Sequence, residues 1–198
     1  KFDICSRALV LVSANTITSF NDNNTESKVA NQLYESTLKN LLTRCRWRFA
    51  TKQQQLSRDT TAPTARYDAK YPLPADALVI NTVTISDNVI TYDRYENEIY
   101  CDATSTDIVV ADYTFRPNEA DFPPYFTSAL VFELASLFAG AIARNDSLSQ
   151  LYQSRAVVAM AQAKSQDSQA QTTRRVEVDR FRNRRNTGAM TVKATVQS

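Results

Sequence analysis

The chain reads as an α+β protein: a four-helix bundle with a small antiparallel β-sheet inserted between helices 2 and 3, plus an extended C-terminal arm. Three observations predict this. Apolar residues recur at helical spacing on both sides of a central segment, they alternate with polar ones inside that segment, and no apolar period is sustained beyond Ala170. The expected boundaries are 1–48 and 117–170 for the helical bundle, 49–116 for the β-sheet insertion, and 171–198 for the arm.

Residues 2–13 place Ile4, Ala8, Leu11 and Val12 on one helical stripe. The polar run Asn21, Asp22, Asn23, Asn24 predicts a loop and an N-cap for a second helix from about Thr25 to Arg46, with Ala30, Tyr34, Leu38, Leu41, Leu42 and Cys45 inward. Arg44, Arg46 and Arg48 then stand where the last carbonyls need positive partners. From Phe49 the period shortens. FATKQQQL predicts a strand, and the prolines of YPLPAD, 71–76, impose an extended entry into ALVINTVTI. SDN at 86–88 is a turn, VITYDRY–ENE–IYCD a hairpin, and DIVVADYTF, 107–115, the closing strand, for four or five strands in one sheet.

Helix returns after FPP, since proline is tolerated in a first helical turn. The third helix, about 123–144, is apolar on nearly every side, with Phe126, Leu130, Leu134, Leu137, Phe138 and Ala141 on its main face. Its most apolar stretch, 129–143, is short for a membrane span and contains Glu133, which favours a buried core helix. Ser147 with Gln150 resembles a capping box opening a fourth helix, with Leu148, Tyr152, Ala156, Ala159 and Ala163 inward. ALVLVSA near residue 8 lacks the cleanly basic flank of a targeting segment, because Asp3 and Arg7 precede it.

Composition narrows the function. There is no histidine, which removes Ser-His-Asp and Cys-His mechanisms and the usual zinc sites. The two glycines, Gly140 and Gly188, cannot build a phosphate cradle. Cys5, Cys45 and Cys101 are far apart, with no CxxC pair, and read as buried thiols in a reducing compartment. The carboxylates Asp76, Asp87, Asp93, Glu96, Glu98, Asp102, Asp107 and Asp112 suit a solvated sheet face better than acid–base chemistry, and the Asp/Asn-rich patches lack the spacing of a calcium loop. These features weigh against a carboxylate-dependent hydrolase. The expectation is a protein that is not an enzyme, with no catalytic residue, cofactor or metal.

The stretch RCRWRFATKQQQL, 44–56, sets three arginines around the only tryptophan. Trp47 and Phe49 share one parity and the arginines the other, so the aromatics should face inward and the charges outward. Core anchoring is therefore favoured over a nucleic-acid grip.

Net charge is +2, unevenly placed: residues 172–198 hold seven basic and two acidic residues, the rest of the chain 16 basic and 19 acidic. In RRVEVDRFRNRR the candidate interface residues are Arg174, Arg175, Val176, Val178, Arg180, Phe181, Arg182, Arg184 and Arg185. Interleaved valines and acids favour docking on protein, with Val176, Val178 and Phe181 as anchors. The alternative is a nucleic-acid-binding module acting through this basic arm.

With WRFATKQQQL, YPLPAD and FPPYFTSALVFELASLFAGAIA in order, the chain resembles the tail tubular protein A family, the head-to-tail adaptors (connectors) of short-tailed bacteriophages. The shared features are Trp47, Phe49, Ala50 and Leu56; Tyr71, Pro72, Leu73, Pro74 and Asp76; and Phe122, Pro123 and Phe126 leading to Leu134, Ala135 and Ala139. The resemblance covers about residues 2–165. It implies a structural protein of the virion, made in the host cytoplasm and located at the head–tail junction. Such a protein forms a homo-oligomeric ring, commonly of twelve subunits, between the portal protein and the tail nozzle protein. DNA would pass through the channel without sequence-specific binding, and no membrane is involved. The motifs are fold-stabilising, so the resemblance transfers no functional residue.

Overall fold

A computed structural model of the chain describes residues 1–64 and 66–170. Its order is α1 (Phe2–Leu11), α2 (Thr25–Thr43), β1 (Thr51–Gln55), β2 (Ala69–Pro72), β3 (Ala77–Ile85), β4 (Asn88–Val89), β5 (Asp93–Tyr95), β6 (Glu98–Cys101), β7 (Val109–Phe115), a 3-10 turn (Glu119–Asp121), α3 (Pro124–Ala141) and α4 (Asp146–Gln169).

The helices follow their sequence periods with local corrections. Asn24 caps α2, its side chain accepting 2.8 Å from Ser27 N–H. The cap of α4 is Asn145, which accepts 3.0 Å from Leu148 N–H, so the expected Ser147–Gln150 box is not the device used. On α1 the buried stripe is Ile4, Cys5, Ala8 and Leu9, with Leu11 only half-buried. On α4 Met160 and Asp167 join Tyr152, Ala156 and Ala163. On α3, Leu137 and Ala141 lie exposed rather than on the covered face.

The expected four-helix bundle carrying one small sheet is not what forms. The described residues form four helices and two antiparallel sheets with seven strands. The apolar α3 is a hub: α1, α2 and α4 each pack on it. Of the helices, α4 lies along α3 alone, antiparallel to it. It reaches α1 only where Tyr152 Oη donates 2.7 Å to Leu11 O. By length and composition α3 could cross a membrane, but Phe126, Leu130, Leu134 and Phe138 are fully covered by the helical core.

The first sheet has the order β1-β7-β3-β4 and the second β2-β6-β5. Strands β1 and β7, which open and close the insertion, pair side by side from Thr51↔Thr114 to Gln55↔Val110. The ladder extends at both ends, from Phe115 N–H to Ala50 O at 2.9 Å and from Leu56 N–H to Val109 O at 2.8 Å. Across the gap Tyr71, Ile99 and Cys101 of the second sheet meet Leu56, Val83 and Val109 of the first in a separate apolar core.

The stretch expected as one strand, 89–95, is divided, β4 going to the first sheet and β5 to the second. Likewise Tyr71 does not simply lead into β3 but pairs with Ile99. The period-2 pattern is the same on either sheet, so it carries no information about which partner a strand finds.

Ser86 and Asp87 join β3 to β4 with φ of 48° and 66°, the two-residue hairpin geometry that favours Asn-Gly. The double substitution Ser86→Asn/Asp87→Gly should raise stability by about 0.5–1 kcal/mol, seen as a higher urea midpoint with an unchanged slope. At the other extreme, Trp47 is fully buried, and Trp47→Ala should cost about 3–5 kcal/mol in the same measurement.

Candidate functional site

The arginine-rich corner that attracted attention in the sequence is built as follows. After Thr43 the chain leaves the helix, and the carbonyls of the last turn need donors. One donor is the Trp47 indole, whose Nε1–H gives 2.9 Å to Leu41 O. The arginine side chains go elsewhere: Arg44 pairs with Glu133 of α3, and Arg46 with Asp112 of β7 at 3.1 Å. The expected role of these two in neutralising the helix end is thus replaced by an aromatic cap. Trp47 and Phe49 pack on Phe126, with ring centroids 5.1 and 4.8 Å away, and Phe122 closes the cluster at 5.2 Å from Phe126. The inward reading of the aromatics holds; Trp47 offers no face for a base.

The only buried carboxylate among the described residues is Asp167, in the last turn of α4. It accepts 3.0 Å from Arg48 N–H and 2.8 Å from Tyr125 Oη, joining the corner to both α3 and α4. Burial, and then the adjacent Asp167 carboxylate, push the Tyr125 phenol up to about 12. Sequence reasoning missed Asp167, although it continues the inward stripe four residues after Ala163; an acid at such a position is itself a signal of a buried partner.

Arg116, just after β7, is a second node. It donates to Glu35 of α2 at 2.9 Å and to Glu119 of the 3-10 turn at 2.6 Å, and Glu119 also accepts 3.3 Å from Tyr34 Oη. The Arg116 hydrogen bond holds Glu35 below its ordinary pKa. Burial pulls Glu119 upward, yet the Arg116 hydrogen bond and charge outweigh it and leave Glu119 lowered too.

The acidic residues of the insertion are largely engaged. Asp76 accepts from Lys52 at 2.8 Å and from Tyr113 Oη at 3.0 Å, and Glu98 from Lys70 at 3.1 Å and Tyr100 Oη at 2.9 Å. Asp93 accepts from Tyr67 and Tyr95, and Asp107 holds Thr104 N–H at 2.7 Å. Among the described residues no three Cys, Asp or Glu side chains converge as metal ligands. No disulfide joins the three cysteines. Burial raises all three thiols, Cys5 to about 12 and Cys101 to about 11, which keeps them protonated and weakly nucleophilic at neutral pH.

A hollow of about 800 Å³ forms an open groove between α1 and the start of α3, lined by Arg7, Val10, Phe122, Ser128 and Phe132 among others. Its polar rim is already paired: Asp3 with Arg7 at 2.9 Å, Glu119 with Arg116. A second hollow of about 430 Å³ lies between α3 and α4 and shares Pro124, Ser128 and Phe132 with the first. These surfaces offer apolar contact and few convergent polar groups. The nine arm residues singled out from the sequence, Arg174 to Arg185, lie outside the described residues.

No protein-family model matches the chain, and a search of curated proteins finds no match either.

Lowered folded-state pKa values for Glu35 and Glu119 mean that their stabilisation is present above the ordinary glutamate value of 4.5 and is lost as pH falls below it. Urea midpoints measured from pH 7 down to about 3 should therefore fall in acid, and Arg116→Met should flatten part of that fall while lowering stability at neutral pH.

Proposed function

We propose that this chain is a structural head-to-tail adaptor of a bacteriophage, a subunit of a ring between a portal and a tail nozzle that extends the DNA ejection channel. The observation that carries the reading is the contrast between engaged polar groups and uncovered apolar ones. Of the insertion's carboxylates, Asp76, Asp93, Glu98 and Asp112 are tied into ion pairs or phenol hydrogen bonds, while Val10, Leu137, Leu151, Val157 and Val158 stand 40–65% exposed on three helices. Apolar surface spread over helix faces is suited to contact with other chains rather than to turnover.

Two further points support it. Residues that carry the resemblance to the adaptor family occupy structural positions: Trp47, Ala50, Phe126, Leu134, Ala135 and Ala139 are fully buried, and Tyr71 is 2% exposed. Conservation of such positions would preserve a shape, which is what an adaptor contributes. The described residues also carry an acidic excess, 19 against 16, and a channel wall without a basic excess would let DNA slide instead of holding it.

The test is assembly. The purified chain, alone or mixed with a portal ring, should enter a particle of about twelve copies visible by electron microscopy. Val157→Glu/Val158→Glu should leave the 22.3 kDa chain monomeric in sizing chromatography with its far-UV circular dichroism unchanged. A wild-type chain that stays monomeric with and without portal would overturn the reading. Salt-sensitive DNA binding abolished by arm substitutions would favour the nucleic-acid-binding module instead.

A further inference from the structure

We infer that the free edge of β1 is a docking site for an extended, uncharged polar segment of a partner protein, which adds to the first sheet as a further strand through main-chain hydrogen bonds. This inference goes beyond the adaptor reading and does not rest on it.

Strand β1 stands at the rim of the β1-β7-β3-β4 sheet, and no described helix or strand other than β7 lies beside it. Which of its backbone groups face outward follows from the ladder. Phe115 N–H donates to Ala50 O and Leu56 N–H to Val109 O, so the hydrogen-bonded pairs with β7 fall on the even-numbered residues. The odd-numbered ones turn their N–H and C=O away from β7. At Thr51 the N–H returns to Arg48 O, 3.2 Å away, whereas Gln53 and Gln55 direct both groups outward. Residues 52–55 are exposed throughout.

The other sheet rims are short or guarded. β4 has two residues and β5 three. β2 includes Pro72, and Asp59 N–H covers Lys70 O at 2.9 Å. β1 has five residues, no proline and one charge, Lys52. A lysine on an edge strand ordinarily keeps other strands away. Here its ammonium is drawn onto the sheet face, 2.8 Å from Asp76 and 4.0 Å from the centroid of the Phe115 ring. The guard is turned aside.

The charges around the edge set the chemistry of the occupant. Lys52 is matched by Asp76 on one face, and Arg46 by Asp112, the cross-strand neighbour of Gln53, on the other. Arg58, just past the strand, donates to Ala103 O and Asp68 O at 2.9 and 2.7 Å. Arg48 lies ahead of Thr51, off the strand. Along 53–55 the strand itself is uncharged, so a charged segment laid there would lose hydration without gaining a counterion. What the edge presents is amide: outward backbone groups at Gln53 and Gln55, with exposed glutamine side chains beside them. Thr, Ser, Asn or Gln in an added strand would match both.

The experiment follows amide hydrogen exchange in the full chain while a capped, alternating Thr-Gln peptide is added. Without peptide, the Lys52 and Gln54 amides should be protected by β7, and those of Gln53 and Gln55 open. Saturating peptide should slow exchange at Gln53 and Gln55 at least about tenfold. The same peptide with all its backbone nitrogens methylated should have no effect. Gln53→Pro removes an outward N–H and no ladder bond, so it should keep the wild-type far-UV circular dichroism and lose the response to peptide. Unchanged exchange at Gln53 and Gln55 up to the solubility limit of the peptide would overturn the inference. So would an equal response to the methylated peptide, a response retained by folded Gln53→Pro, or amides already protected in the free monomeric chain. Protection that grows with protein concentration in the absence of peptide would assign the edge to a second copy and overturn it as well.

Discussion

A helix that ends inside a protein leaves carbonyls without donors, and at the end of α2 the Trp47 indole gives its N–H to Leu41 O. That bond places the indole against Phe126 of α3 and sends the chain on toward β1. Because β1 pairs with β7, the exit of the insertion is set beside its entrance, and Arg116 and the 3-10 turn follow directly into α3. The joint between helices and sheets therefore runs through one buried side chain. Its surroundings reinforce it: Arg44 and Arg46 brace the corner from outside, and Asp167 ties the Arg48 backbone to the far end of α4.

The hub helix has a different consequence. A helix apolar on nearly all sides is satisfied by several neighbours at once, so α1, α2 and α4 need not contact one another as members of a closed bundle do. What remains is a helical layer with uncovered strips, on α4 and between α1 and α4. These strips, rather than a pocket of converging polar groups, are the conspicuous surface features of the described residues. Several of the insertion's carboxylates already hold a lysine, an arginine or a tyrosine.

Much of the fold was legible one element at a time. Period 3.6 marked all four helices, and Asn24 was visible as part of a cap signal, because capping and amphipathicity are local properties. The inward stripe of α2 matched at Ala30, Tyr34, Leu38, Leu41 and Leu42, while Thr37 is buried as well and Cys45 lies past the helix, only half-buried. The candidate site was less legible. The arginines of 44–48 looked like partners for helix carbonyls, yet Glu133 and Asp112, 89 and 66 residues away, claim two of them. Asp167 was overlooked because its partners, Tyr125 and the backbone of Arg48, lie 42 and 119 residues distant.

Sequence alone determined which segments are helical or extended, the inward place of Trp47, and the inventory that leaves out histidine chemistry and glycine cradles. Only tertiary structure decided that the insertion is two sheets facing across a core, that residues 89–95 divide between them, and that α3 serves as a hub without a closed bundle. The reason is physical: periodicity tells a residue which side to bury, while the choice of partner depends on shape and hydrogen bonding across long stretches of chain, which no local pattern encodes.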